Sequence, residues 1–189
     1  MTVGDEEAEG ALRRCLAMGA DRAIRVDAEP RDPVSTARAL AEVVAAESPD
    51  LVLTGVQSAD SVQGSTGAAL AQLLGLPRVA VVKQLEWSGG PTATVHRELE
   101  GGLVDVVEVD TPAVLTIQTG INAPRYANLR AIKQAEQVEI AVVPADAGEP
   151  AYRVRRMFTP PRGAGAEMLN GGAASVAGRI VEIVRERLG

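Results

Sequence analysis

The stretch Leu51-Val52-Leu53-Thr54-Gly55-Val56-Gln57-Ser58-Ala59-Asp60-Ser61-Val62-Gln63-Gly64-Ser65-Thr66-Gly67 decides how the chain is read. Leu51 to Thr54 is an unbroken apolar run of the kind buried in a parallel sheet. A polar, small-residue loop follows from Gly55 to Gly64. Ser65 or Thr66 then starts a helix with Ala69, Leu70, Leu73 and Leu74 inward and Gly75 as its stop. Open α/β sheets bind ligands where a strand's carboxyl end meets a helix start. Backbone N–H groups of Gly64 to Gly67 would point at an anion, aided by the helix dipole. Ser65 and Thr66 offer hydroxyls, and Asp60 could orient the loop or take a ribose hydroxyl. The same residues suit a plain polar connection with a Ser/Thr cap. Neither a Walker-A motif nor a G-x-G-x-x-G is present to decide between the two.

Outward from this stretch, helix and strand patterns alternate. Upstream, a helix opening at Glu6-Glu7 carries the stripe Ala8, Leu12, Cys15, Leu16 and closes near Gly19. A strand at Ala23–Val26 follows, then a helix capped by Asp32-Pro33 with Val34, Ala37, Ala41 and Val44 on one face. Met1 to Gly4 reads as the end of a strand entering a turn, so a doubly wound sheet starting there lacks its first βα unit. Downstream, the spacing predicts strands over Val79–Leu85, Thr92–Leu99, Val104–Val109 and Ala113–Thr119, joined at Gly89-Gly90 and Gly101-Gly102. Leu129–Gln137 reads as a short helix and Ile140–Val143 as a strand. The result is an α/β fold: a doubly wound, mostly parallel Rossmann-like sheet with antiparallel strands added. Residues 1–144 read as the α/β domain that holds the candidate nucleotide loop, and residues 145–189 as a C-terminal arm. The arm opens at the linker Ala145–Pro150, continues through an extended Tyr152–Phe158 and ends in an amphipathic helix bearing Val176, Ile180, Ile183 and Val184.

Composition narrows the chemistry. The 189 residues carry a net charge of −6, which argues against nucleic-acid backbones and anionic membrane surfaces. Only four aromatic rings are present (Trp87, Tyr126, Tyr152, Phe158), too few for base-stacking platforms. One cysteine, Cys15, excludes an internal disulfide, and with one histidine, His96, it excludes the usual zinc clusters. Cys15 reads as a core thiol and His96 as a surface or interface residue, so no catalytic residue is assigned. No apolar run reaches the roughly 18 residues that a membrane span requires, and a reducing cytoplasm is the expected compartment.

Asn122-Ala123-Pro124-Arg125-Tyr126 is a proline-containing loop with a guanidinium fork and one of the few rings. Leu129 just beyond it is a candidate apolar anchor for a partner. Alternatively, Tyr126 and Leu129 pin the loop to the core. Arg97-Glu98 reads as a solvated strand face or as one half of an ion pair across subunits.

Taken together, Ala11 to Ile24, Gly55 to Gly67, Arg97-Glu98 with Gly101-Gly102, Asn122 to Leu129, and the tail residues Arg156 to Phe158 and Gly165 to Met168 resemble the beta subunit of electron transfer flavoprotein. The resemblance implies an adenine nucleotide alpha hydrolase-like fold and a heterodimer with an alpha subunit that carries the redox-active FAD. It makes Ser58, Ala59, Asp60, Ser61, Val62, Gln63, Gly64, Ser65, Thr66, Gly67, Ala68 and Ala69 the loop for AMP, with Val3 a further contact. A second FAD takes the place of AMP in bifurcating members, and the absence of an Asp-Gly-Asp-Thr pattern here favours AMP. Arg97 and Glu98 fall toward the alpha subunit's flavin. Arg125, Tyr126 and Leu129 match the loop that docks flavin dehydrogenases. The lysine-rich run that often follows this loop is replaced by Lys133-Gln134-Ala135-Glu136-Gln137. A universal-stress-protein-like module that binds ATP or AMP is the alternative, but it leaves the Asn122 to Leu129 loop without a role.

Overall fold

The computed structural model describes residues 1–161, 163, 165, 166 and 168–188. It divides into two units, Met1–Arg153 and Val154–Gly189. In the first, strand β1 (Thr2–Val3) leads through a 3-10 turn into helix α1 (Glu9–Ala17) and strand β2 (Ile24–Asp27). Helix α2 (Pro33–Glu47) begins in a reciprocal cap: Asp32 accepts from the Ser35 N–H at 2.7 Å and Ser35 Oγ accepts from the Asp32 N–H at 2.9 Å. Strand β3 (Leu51–Gly55) and helix α3 (Thr66–Leu74) follow, and α3 ends at Gly75 with φ +66°, a left-handed cap that glycine adopts without strain.

Strands β4 (Arg78–Glu86), β5 (Thr92–Glu98) and β6 (Val104–Asp110) form an antiparallel meander, and β7 (Ala113–Ile117) returns to lie parallel between β3 and β4. Helix α4 (Leu129–Gln137) and strand β8 (Ala141–Pro144) complete the unit. The strands fall into a parallel sheet ordered β1-β2-β8 and a mixed one ordered β3-β7-β4-β5-β6. Helix α2 spans the two: Ala39 and Val43 pack with Val3, Ile24 and Val26, while Ala37 and Val44 pack with Leu70 of α3 and Val52 of β3. Under α2, therefore, β1 and β3 each present an outer edge with no strand among the described residues paired to it.

On the other face, α1 packs on α4 through Leu12, Leu16, Ala135 and Ile140. The Arg13 guanidinium donates to the carbonyls of Ala135 and Val138 at 2.6 and 2.8 Å, closing the C-terminal end of α4. The second unit contains helix α5 (Ala173–Leu188), in which no side chain is buried.

Several expectations need correction. The apolar run Leu51–Thr54 is not buried: β3 is an edge strand, Val52 turns to the helices, and Leu53 on the opposite face is 55% exposed. Leu73 is also exposed, because the buried side of α3 runs through Gly67, Leu70 and Ala71. Cys15 is exposed rather than a core thiol. Leu12 and Leu16 set the buried line of α1, and contact with α4 pulls that face toward Arg13, roughly 100° per residue away from Cys15's flank. Tyr152 to Phe158 forms no strand; its backbone is irregular and its side chains are exposed. Glu167, within the tail resemblance, lies outside the described residues.

Candidate functional site

Two polar clefts lie at the carboxyl ends of the parallel strands, where this class of sheet accepts ligands. One, about 370 Å³, is bounded by Arg31, Asp32 and Thr36 at the start of α2 and by Ser58, Asp60, Ser61, Gln63 and Thr66. The other, about 630 Å³, is lined by Val3, Gly4, Asp27 and Glu29, and the two share Pro30. Val3 and the Ser58-to-Thr66 loop thus stand at neighbouring clefts although more than fifty residues separate them in the chain.

The loop holds itself in shape. The Ser58 and Ser61 hydroxyls are 2.8 Å apart, and Asp60 accepts from the Ser61 N–H at 2.7 Å. The Ser58 hydroxyl, with that N–H, holds the Asp60 carboxyl below its ordinary pKa, so it is ionised at neutral pH. Gly64 turns with φ +58°. Ser65 is the N-cap of α3 but its side chain makes no cap hydrogen bond. By contrast, α2 is capped by Asp32, and α4 by Asn128, which accepts from the Ala131 N–H at 2.9 Å. The first-turn N–H groups of α3 are therefore not answered by their own cap and stand at the loop, the arrangement that suits a phosphate. Gly67, Ala68 and Ala69 lie on α3 itself; Gly67 is buried and serves as the close contact between helix and sheet.

Three features of this region were not legible beforehand. Arg25 is buried and donates to Glu9 at 3.1 Å, to Asp27 at 2.8 Å and to the Gly4 carbonyl at 3.1 Å, fixing the turn after Val3. Tyr152 donates its hydroxyl to Gln63 in the loop. Asp32 accepts from the N–H groups of Ala151 and Tyr152 as well as from its own helix. The Ser35 N–H in the first place, then Ala151 and Tyr152, hold the Asp32 carboxyl below its ordinary pKa. An alternation of Arg and Asp around a strand is the one sequence signal that could have singled out Arg25. Nothing local could have brought Tyr152 to the loop.

The docking candidates lie elsewhere and are not brought together. Arg97 is half-buried on β5, and its Nε is shielded from solvent with no hydrogen-bond partner among the described residues, while Glu98 is exposed. Tyr126 and Leu129 are 91% and 78% exposed, so neither pins its loop to the core. The Arg125 guanidinium lies against Gly19 after α1, so close that a Cβ on Gly19 would sit 3.0 Å from it. An apolar cleft of about 640 Å³ between α1 and α4, lined by Ala17, Met18, Ala127 and Ile132, runs beside this loop. Glu9, Arg13, Arg14 and Glu136 also line it.

An α/β chain with polar clefts at the carboxyl ends of its parallel strands has the Rossmann-like, doubly wound architecture. Residues 1–148 match the family model described as an electron transfer flavoprotein domain. The chain is 44% identical to the electron transfer flavoprotein subunit beta of Methylophilus methylotrophus, over 98% of this chain and 75% of that protein. It is 32% identical to the Bacillus subtilis beta subunit over 98% of this chain and 76% of the relative. It is 34% identical to the caffeyl-CoA reductase-Etf complex subunit CarD of Acetobacterium woodii over 99% of this chain and 76% of the relative. The chain belongs to the electron transfer flavoprotein beta subunit family. No helix among the described residues is long and apolar enough to cross a membrane.

Proposed function

We propose that this chain is the beta subunit of a heterodimeric electron transfer flavoprotein, binding AMP and shaping the surroundings of a FAD held by the alpha subunit. The observation that carries the nucleotide part is the paired cleft at Val3 and Ser58–Thr66, with the uncapped first turn of α3 at its edge. Backbone N–H groups from Gly64 onward would take the phosphate, and Asp60 would take a ribose hydroxyl. The rim carries Asp27, Glu29 and Asp60, with Arg31 as its cation, so a phosphate would rest on the backbone donors with Arg31 at the edge of the same cleft. AMP would be structural, and the alpha subunit's FAD would supply the redox chemistry.

Arg97, with its shielded and unanswered Nε, is the candidate contact to the alpha subunit's flavin region, with Glu98 beside it. The apolar stripe of α5, Val176, Ile180, Ile183 and Val184, lies on a helix in which no side chain is buried, and it suits the same partner. Tyr126 and Leu129, next to Arg125, form the dehydrogenase-docking tip. We read the unpaired edges of β1 and β3 as the seat of one more parallel strand, since α2 covers both and Leu53 beside that edge is apolar and exposed. Such a heterodimer would work in the cytoplasm.

Co-expression with an alpha subunit, followed by release and identification of bound nucleotide, tests the reading. A stable heterodimer holding AMP and one flavin is expected. A homodimer holding ATP would overturn it in favour of a nucleotide-sensing module.

A further inference from the structure

Strand β4 carries one residue too many. Its register with β7 pairs Val79 with Leu115 and Val82 with Ile117, so three steps on β4 are matched by two on β7. The surplus is absorbed at Val81, whose φ of +60° is a conformation that β-branched residues avoid. The displaced Val81 N–H is not left open, because it donates to the hydroxyl of Thr116 at 3.0 Å. Thr116 is 6% exposed and touches a second element. A Cβ added to Gly67 would lie 2.7 Å from the Thr116 methyl carbon and 2.5 Å from the Thr54 hydroxyl, so α3 rests directly on these two threonines.

We propose that Thr116 is a positioning residue for the nucleotide loop: its hydroxyl holds the Val81 bulge while its methyl, with Thr54, sets the seat of Gly67 and hence of the first turn of α3. This rests on reading Ser58–Ala69 as the nucleotide loop. The pattern is a division of labour within one side chain. A threonine supplies an acceptor to a strained strand and an apolar stop to a helix, and valine supplies only the stop. The same bulge fixes where Val82 meets Arg97 across β5, so the seat of α3 and the placement of Arg97 share one anchor.

The test uses the heterodimer. Thr116→Val keeps the shape but leaves the part-buried Val81 N–H without its acceptor, and AMP affinity should fall roughly tenfold, within the range such an orphaned donor costs. Thr116→Ser keeps the acceptor for Val81 but removes the methyl stop under Gly67, so it should recover AMP affinity only in part. Gly67→Ala, which crowds Thr116 from the helix side, should also lose AMP. Val95→Ala, in the core of the same sheet, should lower the melting temperature without changing AMP affinity. Amide exchange at Val81 should accelerate in Thr116→Val and not in Thr116→Ser. AMP affinity of Thr116→Val within twofold of wild type, or a loss matched by Val95→Ala, overturns the proposal and leaves the nucleotide reading intact. A wild-type heterodimer devoid of nucleotide overturns that reading and this proposal together.

Discussion

Asp32 and Tyr152 are joined across 120 residues of sequence: the Tyr152 N–H donates to Asp32 Oδ2 at 3.3 Å, beside the bond from Ala151 to the same oxygen. The other oxygen, Oδ1, caps α2 through the Ser35 N–H. One carboxylate therefore starts a helix and straps residues 151 and 152 next to the Ser58–Thr66 loop. In Asp32→Asn the amide can keep the cap, but the NH₂ that replaces Oδ2 cannot accept from two N–H donors. Limited trypsinolysis should then cut faster after Arg153, with helix content by circular dichroism unchanged. Asp32→Ala should lose both. Unchanged cleavage in Asp32→Asn would show that the strap does not depend on Oδ2.

The same pair gives a pH dependence. Asp32 has a lowered folded-state pKa, so its contribution to stability is present above the ordinary aspartate value of about 3.9. It is lost as pH falls below that value through the lower, folded one. Protection of Arg153 should thus be constant from neutral pH to about 5 and decline in the acid range, whereas in Asp32→Asn it should be low throughout.

Leu129 opens α4 with most of its side chain in solvent. Leu129→Glu should change stability by less than about 0.5 kcal/mol, as exposed substitutions do. Electron delivery from the dehydrogenase should slow several-fold while bound AMP is retained. Stopped-flow reduction of the heterodimer and nucleotide analysis separate the two. Loss of AMP in this variant would mean that the residue supports the fold.

Two leucines three residues apart on α3 should behave oppositely. Leu70 is 1% exposed, and Leu70→Ala should cost roughly 2–5 kcal/mol. Leu73 is 49% exposed, and Leu73→Ala should stay within about 0.5 kcal/mol. Denaturant titration of the heterodimer measures both. If the two costs were equal, the facing of α3 described above would be wrong.

Arg97 brings a shielded Nε with no acceptor among the described residues. Arg97→Lys removes the planar fork while keeping the charge, so association with the alpha subunit should weaken about as much as in Arg97→Ala. Isothermal titration of the separated subunits reads this. Full affinity in the lysine variant would reduce the role of Arg97 to charge alone.

The sequence by itself determined the alternation of helices and strands, the cap at Asp32, the stop at Gly75 and the antiparallel turn of the chain after Val79. These depend on neighbours within a few residues, through caps, glycine turns and apolar period. It also marked Ser58–Thr66 as a loop between strand and helix, because that junction is contiguous. What only the tertiary structure decided is which faces are covered. Leu51–Thr54 carries the pattern of a central strand yet lies at an edge, since pairing partners are set by topology. Cys15 and Leu73 fit helical apolar stripes and still face solvent, since a stripe about 100° wide does not say where its partner will sit. Tyr152 reaching Gln63, Arg125 resting on Gly19, and Thr116 bridging Val81 and Gly67 are long-range contacts whose members carry no local mark. They arise because the fold brings strand ends, loops and the start of the arm to one place, and close packing there leaves each side chain few positions to occupy.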